Sequence, residues 1–147
     1  MKIDDIDKKI INELIGNARQ SYRQLSQKIG VSVATVMHRV NRLEKSKVIR
    51  HYSAILDYDQ LGFDVQVIVD IRIAKGKLFE VEKKIATIDN VYALYDNTGS
   101  FDATIIGKFP NRKAMDAFLK KVQSYDFVER TETKLILNTI KEQGIKT

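Results

Sequence analysis

Two amphipathic stretches separated by a very short turn constrain this chain more than any other feature of its sequence. Residues 22–29 and 33–45 each repeat apolar side chains at three- and four-residue intervals, the spacing of one face of an α-helix. Gly30 ends the first stretch and Ser32 precedes the second. Glycine adopts the backbone that ends a helix, and serine is a preferred cap at the start of one. The pattern predicts a helix-turn-helix over about residues 22–41.

A further helix is expected before this pair. The stretch Ile6–Leu14 carries another apolar stripe, Asp4 or Asp5 is positioned to cap its start, and Gly16–Asn17 ends it. The sequence therefore predicts a three-helix domain over residues 1–50.

The two paired helices have distinct signals. Ser21 and Gln24 form a capping-box pattern at the start of the first. The second is expected to bury one stripe and to present a polar, basic face on its other side. The expected buried stripe is Val33, Val36, Val40 and Leu43. The expected outer face is Thr35, His38, Arg39, Arg42 and Lys45.

The positive charge is confined to this first part. Residues 1–50 hold 11 basic and 5 acidic residues, a net charge of +6, whereas residues 51–147 hold 14 of each. A chain whose charge splits in this way is typical of a nucleic-acid-binding module joined to a neutral module with another task. A generic three-helix bundle with a basic surface is the alternative interpretation.

A helix-turn-helix places its second helix in the major groove of double-stranded DNA. The N-terminal residues of that helix reach base edges, while later arginines and the start of the preceding helix contact phosphates. Small side chains such as Ala34 allow a close approach, and Thr35 offers a hydroxyl and a methyl group. The expected DNA-binding residues are Ser21, Tyr22, Ser32, Ala34, Thr35, His38, Arg39 and Arg42.

Alternating and helical periods predict the order β-α-β-β-α-β in the second part. In the stretch 65–73 every second residue is valine or isoleucine, and two helical stretches each lead into a strand through a short turn. We therefore expect an α+β, ferredoxin-like sandwich over residues 63–147, joined to the first domain by a connector with a short strand over residues 51–62. One sheet face is left uncovered by helices, and a second subunit is expected to cover it.

Several short motifs resemble the Lrp/AsnC family of leucine-responsive, or feast/famine, transcription regulators, and the resemblance covers nearly the whole chain. They are Asp5-Ile6-Asp7, Leu25-Ser26-X-X-Ile29-Gly30-Val31-Ser32, Arg39-Val40-X-X-Leu43-Glu44, Val48-Ile49 and Leu61-Gly62. Lys47 departs from the family, which usually has glycine there; if the position needs a positive φ, lysine costs about 1 kcal/mol.

The resemblance implies a sequence-specific regulator with a winged helix-turn-helix domain and an effector-sensing, RAM-type αβ-sandwich. It also implies dimers that assemble further into tetramers or octamers, and a small amino acid bound between dimers near a Thr-Gly-X-X-Asp turn. Thr98–Asp102 matches that turn, although Ser100 stands where many relatives carry an acid. The effector-binding residues it implies are Thr98, Gly99, Ser100, Phe101, Asp102, Thr131 and Thr133.

The turn also has a simpler interpretation. Glycine with neighbouring serine, threonine and asparagine is common in hairpins that bind nothing. Asp102 is less easily explained, because an acid at the start of a buried strand usually has a partner. For a zwitterion, its carboxylate would take the ammonium group, and the Gly99–Ser100 backbone would take the carboxylate. An architectural DNA-binding protein without an effector therefore stays open.

No set of residues converges on a catalytic site. The chain has no cysteine and two histidines, His38 and His51, and it lacks phosphate-binding and nucleophile-elbow motifs. Sirohaem decarboxylases share the family's fold and length, but residues 52–147 contain no histidine and have no net charge to bind a polycarboxylate. We expect no enzymatic activity, no metal and no cofactor other than an amino-acid effector.

The sequence also bears on location. No stretch approaches the roughly 18 apolar residues of a membrane span, and the first residues are too acidic and polar for a secretory signal. We expect a cytoplasmic, nucleoid-associated protein that contacts no membrane.

Overall fold

The computed structural model describes residues 2–147, which form two units. The first consists of the residues up to Ile55 together with Lys141–Thr147, and the second of Leu56–Ile140. The expected boundary after residue 62 had placed the whole C-terminal stretch in the second part of the chain. The structure instead groups the last seven residues with the first unit.

Three helices build the first unit: α1 (Asp5–Gly16), α2 (Tyr22–Ile29) and α3 (Val33–Lys45). Their starts follow the predicted caps. Asp4 forms a capping box with Asp7, and Ser21 forms one with Gln24. Gly30 ends α2 with a φ of 79°, so the sharp turn uses a backbone that glycine adopts without strain.

The hydrophobic core of the first unit is small. It is formed by Ile10, Leu25, Val36, Val40 and Leu43. The predicted stripe was wrong for Val33, whose side chain is 44% exposed. Val36, Val40 and Leu43 point toward α1 and α2, and the first residue of α3 lies beyond the edge of that stripe.

The C-terminal residues contact α1. The side-chain amide of Asn12 donates to the carbonyl of Thr147 over 2.9 Å, and its oxygen accepts from the Thr147 N–H over 2.8 Å. Gly144 lies against Ile15 so closely that an added Cβ would be 2.9 Å from the Ile15 Cγ2. This segment therefore forms part of the surface of the three-helix unit.

Lys47 follows α3 with a φ of 62°. It is the position where the Lrp/AsnC pattern has glycine, and the backbone here needs the left-handed conformation that glycine favours. Two residues after Lys47, the Ile49 N–H donates to the carbonyl of Leu43 over 3.1 Å, and this hydrogen bond closes the turn. The strain anticipated from the sequence is therefore present.

Lys47→Gly is expected to stabilise the first unit by about 0.5–1 kcal/mol. Removing the left-handed strain raises the free energy of unfolding by about 1–2 kcal/mol. Glycine also gives the unfolded chain more conformational freedom, which lowers the free energy of unfolding by about 0.4–1 kcal/mol. Urea denaturation measures the difference. Lys9→Gly, at an exposed position within α1, is the matched control and should destabilise by about 1 kcal/mol. Equal effects of the two substitutions would contradict the assignment of strain to Lys47.

The second unit confirms the predicted β-α-β-β-α-β order. Its elements are β1 (Val65–Ile73), α4 (Leu78–Ile85), β2 (Val91–Asp96), β3 (Ala103–Phe109), α5 (Arg112–Gln123) and β4 (Val128–Leu135). The strands form one antiparallel sheet in the order β2-β3-β1-β4. This is the ferredoxin-like arrangement.

The sheet has one apolar and one mixed face, set by the alternation of β1. Val67, Val69 and Ile71 are fully buried and pack with side chains of α4 and α5. On the other face, Asp70 is 9% exposed. It accepts hydrogen bonds from the Thr104 hydroxyl over 2.5 Å and the Lys134 ammonium over 2.6 Å. The uncovered face is thus more polar than the sequence had indicated.

The charge state of Asp70 follows from these neighbours. Burial raises the pKa of Asp70, but the bonds from Lys134 and Thr104 outweigh it, so its pKa lies below the usual range. The carboxylate therefore stays ionised and holds β1, β3 and β4 together across the open face.

The connector does not form its expected strand within the single chain. Among the residues that the structure describes, 51–57 join no ladder, and residues 58–62 form a turn closed by the Phe63 N–H on the carbonyl of Tyr58. A strand needs a hydrogen-bonding partner, and residues 2–147 supply none beside this segment.

Candidate functional site

The outward face of α3 differs from the face that the sequence predicted. Its exposed side chains recur at three- and four-residue intervals along the whole helix. They are Val33, Ala34, Met37, His38, Asn41 and Lys45. None of these six is acidic, so the face presents apolar surface near the start of the helix and polar or basic groups further along.

Arg39 and Arg42 are turned toward the start of α1 and contact it. Arg42 donates from Nη2 to Asp7 Oδ2 over 2.5 Å, and Arg39 donates from Nη1 to Asp7 Oδ1 over 3.2 Å and also to Asp4. Asp7 is fully buried. These two arginines, expected to contact phosphates, are thus brought together with the N-terminus of α1.

The ion pairs of this cluster shift the pKa values of Asp4 and Arg39. The backbone N–H of Asp7 and the guanidinium of Arg39 lower the pKa of Asp4 to about 2. The carboxylates of Asp4 and Asp7 raise the pKa of Arg39. Asp4 and Arg39 therefore stay charged at neutral pH, and the cluster ties α3 to α1.

The predicted hydroxyl contacts lie at the starts of α2 and α3. Ser21 Oγ accepts from the Gln24 N–H over 3.2 Å, and Ser32 Oγ accepts from the Thr35 N–H over 3.1 Å. The hydroxyls of Ser32 and Thr35 are 2.8 Å apart and bond to each other. Tyr22 is 36% exposed and begins α2. These groups line one end of the helix pair, near Ala34.

Sequence reasoning missed three members of the outward face: Val33, Met37 and Asn41. Positions 37 and 41 fall to one side of the buried stripe of Val36, Val40 and Leu43 on a helical wheel, which was a signal for Met37 and Asn41. Val33 falls next to Val40 on the same wheel, so the sequence carried no signal for its exposure. The expected outer face of α3 had been chosen for its basic residues and not from the position of the buried stripe.

The turn Asn97–Asp102 closes the hairpin between β2 and β3. The Asn97 N–H donates to the carbonyl of Asp102 over 3.0 Å, and Gly99 has a φ of 117°, which few other residues adopt. Thr98, Gly99 and Ser100 are exposed.

Asp102 has a structural partner. Its Oδ2 accepts from the backbone N–H of Ile73 over 2.7 Å, next to the register shift between Arg72 and Ile73, and its own N–H donates to the carbonyl of Ile71 over 2.9 Å. The Ile73 N–H faces β3 but lies beyond the last β1–β3 pair, Ile71–Ala103, so this carboxylate satisfies a donor that the ladder leaves unpaired. The Oδ1 atom accepts no hydrogen bond from residues 2–147.

The remaining predicted effector residues are Phe101, in the turn itself, and Thr131 and Thr133, on β4. Thr131 lies opposite Ile71 on β4, and its hydroxyl accepts from Gln123 Nε2 over 2.9 Å. Thr133 is exposed, two residues further along β4. The ring of half-buried Phe101 lies 5.5 Å from the guanidinium of Arg130. Through β1, the structure thus brings β4 near the turn.

A groove of about 460 Å³ opens between α4 and β2, lined by Phe79, Glu82, Leu94 and Asp96 among others. Burial and the neighbouring carboxylate of Asp96 raise the pKa of Glu82. The groove does not include Thr98–Asp102. Among the described residues no group of three or more His, Cys, Asp or Glu is arranged to hold a metal ion. No described helix is long and apolar enough to cross a membrane.

Two family models match the chain. One, described as winged helix-turn-helix DNA-binding, matches residues 3–50, and the other, described as the Lrp/AsnC ligand binding domain, matches residues 66–145. The second match alone covers more than half of the chain. The chain belongs to the Lrp/AsnC family.

Relatives of this Lrp/AsnC protein carry the same description. An uncharacterised HTH-type transcriptional regulator of Pyrococcus furiosus is 39% identical over 142 residues, which cover 97% of this chain and 96% of the relative. The HTH-type transcriptional regulator Ptr1 of Methanocaldococcus jannaschii is 33% identical over 141 residues, covering 95% of each. This Lrp/AsnC protein is accordingly a DNA-binding transcriptional regulator of the helix-turn-helix type.

Solved structures show the same fold. AsnC of E. coli has a TM-score of 0.91 at 28% identity, with all of each chain covered. A regulator of Neisseria meningitidis, solved as an L-Met complex, has a TM-score of 0.90 at 23% identity, covering 97% of this chain and 94% of that one. The ferredoxin-like assignment of this Lrp/AsnC protein is therefore confirmed.

Proposed function

We propose that this regulator reads an operator with α3, acts as a twofold dimer or a larger assembly, and responds to a small amino acid bound at Thr98–Asp102. The observation that carries the DNA-binding part is the outward face of α3, which is free of acids from Val33 to Lys45. The acids of α1 that lie near α3 are bound by Arg39 and Arg42 and do not repel phosphates.

Contacts to DNA are divided among three groups of side chains. Ala34 and His38, on the outward face, approach base edges together with Thr35. Ser21 and Tyr22, with Ser32, offer hydroxyls and helix N-termini to phosphates. Arg39 and Arg42 act on DNA binding by holding α3 against α1, because their guanidinium groups are already engaged.

A salt titration tests this interface. Lys45→Ala is expected to weaken binding to most sequences and to lower the salt slope by about 1, as the loss of one phosphate contact does. Lys113→Ala, at an exposed position of α5, is the matched control and should leave the slope unchanged. Identical slopes for the two variants would contradict the use of the α3 face. Arg39 and Arg42 are unsuitable here, because their loss would disturb the fold.

Self-association is proposed from the sheet and from the requirements of an operator. The open face presents Ile68, Ile106 and Tyr95, the last 58% exposed, around the Asp70 cluster. Two helix-turn-helix units related by a twofold axis read half-sites about 34–36 Å apart. Analytical ultracentrifugation should give a species of at least two chains, and a monomer at micromolar concentration would contradict the proposal.

The amino-acid effector is proposed from the chemistry of the turn. Asp102 Oδ1 is available for an ammonium group, and the backbone around Gly99 can approach a carboxylate closely. Thr131 and Thr133 are proposed to contact the effector's side chain. The matched ligand binding domain supports the proposal, as does the L-Met complex of the Neisseria meningitidis protein, whose likeness is one of fold. Bound effector would bias one assembly state and thereby operator affinity.

Thermal-shift and ultracentrifugation experiments with all twenty amino acids test the sensing part. At least one should raise Tm or change the assembly. Its N-acetyl derivative and its methyl ester, which lack the ammonium and carboxylate charges, are the matched controls and should have no effect. Mass spectrometry of the native protein would identify a retained ligand.

One observation favours a second candidate, an architectural DNA-binding protein without effector. The Ile73 N–H already gives Asp102 a partner, so the acid is explained without a ligand. The absence of any response to the twenty amino acids would support this candidate. In either case we propose a regulator without enzymatic activity that works in the cytoplasm at the nucleoid.

A further inference from the structure

We propose that Val33 and Met37 read the methyl groups of thymines in the major groove. The inference rests on the proposed use of α3 for DNA binding and adds a specificity mechanism to it. The two side chains would select thymine over cytosine, and over uracil, at defined positions of each half-site.

The first argument is exposure. Val33 and Met37 are 44% and 46% exposed, whereas the inward-facing apolar residues of the same helix, Val36, Val40 and Leu43, are at most 2% exposed. Residues four apart lie on one helix face, so Val33 and Met37 form a continuous apolar strip with Ala34 beside it. A contiguous exposed apolar patch marks a binding site more often than singly scattered apolar residues do.

The second argument is the charge around the strip, which identifies the occupant. His38, Asn41 and Lys45 continue the same face, and none of them repels an anion. Glu44 is turned away and accepts a hydrogen bond from the Tyr52 hydroxyl over 2.8 Å. An apolar strip continued by cationic and amide groups suits the major groove, where apolar and hydrogen-bonding base edges lie between phosphates.

The third argument is position along the helix. Val33 is the first residue of α3, and N-terminal residues of a recognition helix contact base edges. The thymine C5-methyl is the apolar group that the major groove presents. Four residues of helix rise about 6 Å, close to two base-pair steps. Val33 and Met37 are therefore spaced to reach methyl groups about two steps apart.

The two residues should differ in stringency. Valine is branched at Cβ and has a stiff side chain, so it tolerates little displacement of the methyl group. Methionine has three rotatable bonds and adapts to irregular surfaces. We expect a sharper thymine requirement at the position read by Val33 than at the position read by Met37.

The experiment uses the full chain and an operator obtained by in vitro selection. Each thymine of the operator is replaced in turn by deoxyuridine, which lacks only the C5-methyl group. Wild-type protein should bind about fourfold more weakly for each methyl group that it contacts, the factor for burying one such group. One or two positions in each half-site should respond.

Variants then assign the methyl groups to residues. Val33→Ala and Met37→Ala should bind the thymine and deoxyuridine operators equally at the corresponding position, and Met37→Leu should restore the discrimination. Val48→Ala, at a position 46% exposed in the same unit, is the matched control and should discriminate like wild type. Circular dichroism verifies that the variants are folded, as expected for exposed positions.

The outcomes separate the inference from the proposed function. If wild-type protein binds the operator with a salt-dependent affinity but gives equal affinities for thymine and deoxyuridine at every position, the methyl readout is wrong and the DNA-binding proposal stands. The inference is also overturned if both variants keep the wild-type discrimination. If wild-type protein binds no DNA at all, both proposals fail.

Discussion

Asp7→Ala is expected to destabilise the three-helix unit by about 3–5 kcal/mol, the cost of removing one partner from a buried ion pair. The carboxylate is fully buried and bonded to the guanidinium groups of Arg39 and Arg42. Its removal leaves two charges that burial has partly separated from water. Urea denaturation with a probe in each unit should show the first unit unfolding early, and operator binding should be lost.

Asp5→Ala is the matched control for this prediction. Asp5 is an exposed aspartate in the same first turn of α1, and its favourable interaction with the helix dipole is worth about 0.3–1 kcal/mol. A second variant, Asp7→Leu combined with Arg39→Met and Arg42→Met, replaces the charges by apolar side chains and should recover most of the lost stability. If Asp7→Ala and Asp5→Ala were equally stable, the buried cluster would not hold α3 to α1.

Asp102→Ala is expected to destabilise the second unit by about 1–3 kcal/mol and to remove any response to the effector. The substitution leaves the Ile73 N–H without its acceptor just beyond the end of the β1–β3 ladder, and a buried donor without a partner carries a cost of this size. Thermal denaturation measures the first effect, and the amino-acid thermal-shift assay measures the second.

Asp102→Asn separates these two roles. The asparagine oxygen still accepts from the Ile73 N–H, so stability should stay near that of the wild type. The negative charge is lost, so an ammonium group should no longer bind. If Asp102→Asn responds to the effector as wild type does, the carboxylate is only a structural acceptor.

The local structure of this chain was largely predictable from its sequence. The capping boxes at Asp4 and Ser21, the left-handed Gly30 and the strained Lys47 all depend on residues within a few positions of one another. Propensity and capping act over that range, so the pattern carries the information. The alternation of β1 likewise predicted which of its side chains enter the core.

Contacts between distant residues were not predictable in the same way. Arg39 and Arg42 look like ordinary members of a basic helix face, and only the packing of α1 across α3 brings Asp7 within reach of both. The partner of Asp102 is the Ile73 N–H, 29 residues away, which only the pairing of β1 with β3 brings beside it. Local sequence patterns do not show which of several similar charged residues will form an ion pair, because that depends on how distant helices and strands pack.

The bonds between Asn12 and Thr147 also bear on biosynthesis. They join positions 135 residues apart, and the segment that contains Thr147 belongs to the three-helix unit. The ribosome makes α1 before the second unit and this segment after it, so the three-helix unit cannot be completed until residues 56–140 have been synthesised. A nascent chain interrupted after the connector would display helices α1–α3 without their final segment. The order of synthesis thus makes completion of the DNA-reading unit wait for the whole of the second unit.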